Sequence, residues 1–139
     1  MTELNAISLR KNDLGQIHIF LVSSELKGAA SRARTKLDKL ISDNLNDLIA
    51  DEKELAKDHN GTIQNNGNVS FNSETSDRDD FDVEHRQLLD EKVSLIEHTE
   101  GYFDKLTTAL NDLTKDLNGL DAQAYDTLLD ALEADKAEG

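Results

Sequence analysis

The sequence predicts an α+β domain, mainly α, in which long amphipathic helices pack together with a small β-hairpin and one or two short strands. Three observations carry that prediction. Residues 26–59, LKGAASRARTKLDKLISDNLNDLIADEKELAKDH, repeat apolar side chains at spacings of three and four, which places them on one face of a helix. The chain has no proline, so nothing interrupts long helices from within. Asn66-Gly67, set between short apolar pairs, is a strong short-range hairpin signal.

Taken in order, LNAISLR alternates Ile7 with Leu9 and predicts a short strand. Asn12 or Asp13 caps a short helix through Leu26 with Leu14, Ile17, Phe20 and Leu21 inward, although QIHIFLV also has strand character. Gly28 serves as the stop before the long helix. The apolar face of that helix is Ala30, Ala33, Leu37, Leu40, Ile41, Leu45, Leu48, Ile49, Leu55 and Ala56, and Ser31 is a candidate cap. Residues 61–72 form the hairpin. A three-residue loop, Asn65-Asn66-Gly67 with a left-handed glycine, sets Ile63 opposite Val69. A two-residue loop would set Ile63 opposite Ser70 and split the apolar face, so the longer loop is preferred.

Residues 73–80 read as an acidic surface loop, with Asp79 or Asp80 capping the helix that follows and Phe81, Leu88 and Leu89 inward. KVSLIEH alternates Val93 with Leu95 and predicts a second strand that can pair with ISLR. Thr99 then caps a helix through Asn118, with Phe103, Leu106, Leu110, Leu113 and Leu117 in register. One continuous helix from 84 to 118 is the competing reading; Gly101 and the strand-like alternation favour a break. Asn118-Gly119 ends that helix, with Leu120 placed for the apolar contact of such stops. Asp121 caps a last helix whose face is Tyr125, Leu128, Leu129 and Leu132, and residues 134–139 form a frayed tail. The whole reads as one domain.

Charge separates along the chain. Residues 1–40 carry seven Lys/Arg against four Asp/Glu, a net of +3, and residues 41–139 carry eight against twenty-five, a net of −17. Such a surface disfavours free nucleic acid and anionic lipid as main partners and attracts basic proteins. The long helix is polarised in the same sense. Arg32, Arg34, Lys36 and Lys39 crowd its first turns and Asp51, Glu52, Glu54 and Asp58 its last. The helix dipole prefers the reverse by ~0.3–1 kcal/mol per well-placed charge. Arg32, Arg34 and Lys36 are therefore expected to contact an anion or carboxylate, from this chain or from a partner. The chain has no cysteine, hence no disulfide or thiolate site. Its first residues lack a secretory signal pattern, and Ile17 to Val22 is far too short to span a bilayer.

Catalytic signatures are missing: no phosphate-cradling glycine loop, HExxH or nucleophile elbow occurs. No two of His18, His59, His85 and His98 are three or four residues apart. The densest acidic run is SDRDDFDVEH, holding Asp77, Asp79, Asp80, Asp82, Glu84 and His85. Asp82, Glu84 and His85 come nearest to a divalent-metal set, but no glycine supplies the turn of a calcium loop, and no cofactor is expected.

Several short motifs carry a resemblance. "L-K-G" at Leu26 to Gly28, "S-R-x-R-T" at Ser31 to Thr35, "E-K-E-L-x-K" at Glu52 to Lys57, the Gly/Asn hairpin and "D-A-x-A-Y-D-x-L" at Asp121 to Leu128 resemble a family of small proteins of unknown function from tailed phages and prophages of Gram-positive bacteria. The resemblance implies a phage accessory protein acting in the cytoplasm of the bacterial host. It implies no activity.

Two functions from different classes follow. In the first, a non-enzymatic binding protein uses an acidic surface to occupy the basic groove of a host nucleic-acid-handling protein; defence nucleases, CRISPR effectors included, have such grooves. Asp77, Asp79, Asp80, Asp82 and Glu84 are its expected contacts, followed by Asp51, Glu52 and Glu54. The protein would be a monomer or a small homo-oligomer. In the second, the chain is a small phage structural, assembly or chaperone-like protein that works as an oligomer. A metal-dependent hydrolase comes third.

Overall fold

The computed structural model describes residues 4–64, 68–71, 75–113, 117 and 119–138, with the backbone alone at 75, 76 and 135–138. The chain is α+β, mainly α. Its elements run β1 (Ala6–Arg10), α1 (Lys11–Ser23), α2 (Gly28–Asp58), β2 (Gly61–Ile63), β3 (Val69–Phe71), α3 (Thr75–Asp90), β4 (Lys92–Ile96), α4 (Tyr102–Asn111) and α5 (Gly119–Glu138). Among the described residues no helix is long and apolar enough to cross a membrane.

The period-two alternation of the two predicted strands is what pairs them. β1 and β4 lie antiparallel with Ile7 opposite Leu95 and Leu9 opposite Val93, so all four apolar side chains share one face. That face closes one side of the main core. Leu14, Ile17, Phe20 and Leu21 of α1, Ala33, Leu37 and Ile41 of α2, Phe103, Leu106 and Leu110 of α4, and Ala124, Leu128 and Leu132 of α5 fill the rest. Tyr125 meets Phe20 edge-on at 5.9 Å, and its hydroxyl donates to the Leu110 carbonyl at 2.9 Å, where α4 is ending. The second sheet is the hairpin β2–β3. Ile63 is opposite Val69, the register that keeps the apolar residues together; the Asn65-Asn66-Gly67 loop itself lies outside the described residues.

Several expected boundaries move. α1 starts at Lys11, so Asn12 and Asp13 lie inside it; the strand feeds straight into the helix, and the Lys11 amide donates to the Glu91 carbonyl (2.8 Å) instead of needing a side-chain cap. α1 stops at Ser23, before Leu26. Gly28 is not its stop but the first residue of α2, where a φ of +59° suits glycine. Ser31 is likewise within α2. α3 begins at Thr75, so 75–80 are helix rather than loop, and Asp79 and Asp80 are helical residues and not caps. Acidic side chains favour both the cap and the first turns of a helix, so the run reads the same in either place. β4 divides 84 from 118, which excludes one continuous helix.

Thr99 does not cap α4 with its side chain; its carbonyl accepts the Tyr102 amide at 3.1 Å. α4 ends at Asn111 rather than 118, although Leu113 and Leu117 still pack against the core. Asn118 lies outside the described residues. Leu120 is 58% exposed. Asp121 sits inside the first turn of α5. The described backbone is helical to Glu138.

The C-terminal end of α1 accounts for part of the charge on α2. Ser23 and Ser24 hydroxyls both donate to the Phe20 carbonyl, at 3.0 and 2.7 Å, and the Arg34 guanidinium donates to the Ser24 carbonyl and to Ser31 Oγ. The negative partner of Arg34 is thus the carbonyl end of a neighbouring helix, where the dipole places partial negative charge. Arg34→Ala is expected to cost about 1.5–3 kcal/mol, the range for a hydrogen bond from a charged donor, read from urea unfolding. A loss below about 0.5 kcal/mol would show that solvent satisfies that helix end equally well.

Candidate interaction surface

The second half of α2 projects beyond the β1–β4 sheet, and α3 and the hairpin pack on it. Helical spacing sorts the acids there. On α2, Asp51, Glu54 and Asp58 lie one turn apart along one side; opposite them are Glu84 and Gln87 of α3 and Glu91, the residue that follows α3. The two rows face each other across an open groove of about 380 Å³ whose floor is Leu55 and Leu88. No lysine or arginine among the described residues lines it. Glu91 is drawn toward Lys11 Nζ at 2.6 Å and Glu84 toward His59 Nε2 at 3.2 Å. Asp51, Glu54 and Asp58 have no ion pair among the described residues.

On the other side of the α2–α3 seam is a cleft of about 450 Å³. Ile49, Ile63, Val69 and Phe81 supply its apolar walls, and His85 and Glu52 its polar base. His85 Nε2 lies 2.6 Å from Glu52 Oε2, and its ring stacks on Phe81 with centroids 5.0 Å apart. A third imidazole–carboxylate contact, His18 Nδ1 to Asp38 Oδ1 at 2.7 Å, ties α1 to α2.

The structure therefore brings together some of the expected contact residues and separates others. Asp51, Glu54 and Glu84 share the groove. Glu52 is turned to the opposite side and engaged by His85. Asp79, Asp80 and Asp82 are exposed along α3 without lining the groove, while Asp77 is half-buried. Asp58 and Glu91 belong to the groove and are not among the contacts expected from sequence; Asp58, in the acidic end of the long helix, is one turn after Glu54, but Glu91 becomes relevant only once α3 is set against α2. Arg32 and Lys36 lie toward the far end of α2, about 28 and 22 Å from Asp51 at about 1.5 Å per residue, and neither contacts a carboxylate among the described residues. Asp82, Glu84 and His85 do not converge: no group of three or more His, Asp or Glu among the described residues is placed to share a metal ion.

What the arrangement can do chemically follows from the groove. Long cationic side chains have an aliphatic stem and a charged head, and this groove offers leucine below and carboxylates above. No family model, curated protein or solved structure matches the chain.

Proposed function

We propose that the chain is a non-enzymatic binding protein that docks a basic partner on the acidic α2–α3 face, and that this partner is a host nucleic-acid-handling protein whose phosphate-binding groove the carboxylates occupy. The observation that carries this reading is the groove itself: five carboxylates, Asp51, Glu54, Asp58, Glu84 and Glu91, line it with no lysine or arginine among the described residues. The phage setting and the bacterial cytoplasm rest on the sequence resemblance, and the anti-defence role rests on the acidic surface alone. A basic nuclease, CRISPR effectors among them, is the partner class with the matching charge.

The test is a pull-down from bacterial lysate at about 0.05 M and about 1 M salt, with the bound proteins identified by mass spectrometry. The screening length shortens from over 10 Å to about 3 Å across that range, so an electrostatically docked partner is retained at low salt and lost at high salt. The triple variant Asp51→Lys/Glu54→Lys/Asp58→Lys is expected to weaken capture at least about 100-fold, since like charges then face the partner. Equal capture by variant and wild type removes the groove from the binding site.

One observation favours the alternative, an assembly or chaperone-like oligomer. Ile19 and Val22, one turn apart on the outer side of α1, are both more than half exposed. Light scattering behind size exclusion decides between them. A salt-resistant oligomer that dissociates on Ile19→Ser/Val22→Ser supports assembly, and a monomer at the same concentrations supports the blocker.

A further inference from the structure

The buried apolar side chains fall into two groups. The main core lies among α1, the first half of α2, the β1–β4 sheet, α4 and α5. Leu48, Ala56 and Phe81 are also buried but lie outside it. Around Phe81 gather the second half of α2, the hairpin and α3. Phe71 meets its ring edge-on at 5.6 Å, His59 edge-on at 6.4 Å, and His85 stacks on it at 5.0 Å. Two imidazole–carboxylate contacts cross the same seam in opposite directions. His59 and Glu52 reach from α2, and Glu84 and His85 answer from α3.

The lobe meets the body where α3 packs on α1 and where the Lys11 amide donates to the Glu91 carbonyl at 2.8 Å, and the continuous α2 joins the two. The ion pairs at the junction use exposed carboxylates: Arg10 with Asp90 at 3.5 Å and Lys11 with Glu91 at 2.6 Å. Exposed pairs of this kind stabilise weakly. The hydrogen bonds of a helix are local, so the end of α2 can unwind while its beginning stays packed.

We propose that the second half of α2, the hairpin and α3 open together as one unit while the body remains folded. The surface assigned above to partner binding then sits on the less stable part of the molecule, but the opening follows from the two separate cores and does not depend on any partner.

Native-state hydrogen exchange of the full chain across a denaturant series tests it. Amides of residues 49–58 and of α3 are expected to exchange at least roughly 10-fold faster than those of α1, α4 and α5, after correction for intrinsic rates, and with a smaller denaturant dependence. α2 would thus show two protection classes within one continuous helix. Ile17→Val separates the alternatives without threatening the fold. Ile17 stays packed when the lobe opens, so the variant speeds the slowest body amides about 2- to 10-fold and leaves the lobe amides unchanged. Equal protection and equal denaturant dependence in both halves of α2 would overturn the proposal, as would an Ile17→Val effect of the same size everywhere.

Discussion

Glu97→Ala is expected to destabilise the protein by about 3–5 kcal/mol, more than any other single polar change. Glu97 is 2% exposed, a carboxylate within the fold. It survives there because backbone donors surround it. The Asn5 amide donates to Oε2 at 2.8 Å, the Phe103 amide to Oε1 at 3.0 Å, and the Gly101 amide to Oε2 at 3.4 Å. The first donor precedes β1, and the other two belong to the start of α4. One side chain therefore caps a helix and fastens the end of the sheet. The left-handed Gly101, at φ +85°, precedes α4, and its amide and that of Phe103 both reach the one carboxylate while the Tyr102 amide between them goes to the Thr99 carbonyl. Removing the carboxylate leaves at least two buried or half-buried donors without an acceptor, at about 1–3 kcal/mol each, and removes the negative charge from a helix N-terminus. Glu97→Gln should not rescue it, because the amide turns an NH2 group on donors that need an acceptor. Urea unfolding of the three proteins checks this. A loss below about 1 kcal/mol in Glu97→Ala would mean that water replaces the carboxylate.

The sequence carries a signal for Glu97. Val93, Leu95 and Glu97 share one parity, so the alternation that predicts an inward Val93 and Leu95 also points Glu97 inward. What the sequence does not state is which amides will meet it there, since Asn5 is 92 residues away. The same division holds elsewhere. Alternation and apolar spacing identified the β1–β4 pair, the hairpin register and the inward faces of α1, α2, α4 and α5, because each is a local period that burial enforces; Ile49 is the exception on α2, 47% exposed in the cleft beside Phe81. Helix ends were harder, because groups distant in sequence satisfy them: Arg34 for α1, the Glu91 carbonyl at the start of α1, Glu97 for α4. The acidic groove was half legible. Asp51 and Glu54 stand out on α2, but in a chain with 29 acids only tertiary packing selects Glu91 as their neighbour across the seam. The pairing of His59 with Glu84 and His85 with Glu52 was beyond reach for the same reason.

Phe81→Ala is expected to produce the largest loss among apolar substitutions in the lobe, and a loss with a ceiling. A buried Phe cut to Ala costs about 3–5 kcal/mol from lost burial and the cavity left behind. Phe81 is 4% exposed and is the ring on which Phe71, His59 and His85 converge, so edge and stacking contacts disappear with it. If the lobe opens on its own, however, the substitution can destabilise the whole protein only until the lobe is open in the native baseline. Beyond that point the body no longer feels it. The total loss then equals the lobe's own stability, and the main urea transition steepens less with denaturant, because less surface remains to be exposed. Glu97→Ala works within the body and should lower the midpoint while leaving that slope unchanged. Phe81→Leu keeps much of the buried volume and loses the ring contacts, so it should fall between wild type and Phe81→Ala. A Phe81→Ala loss near 4 kcal/mol with an unaltered slope would show that lobe and body unfold as one, with Phe81 an ordinary part of a single cooperative core.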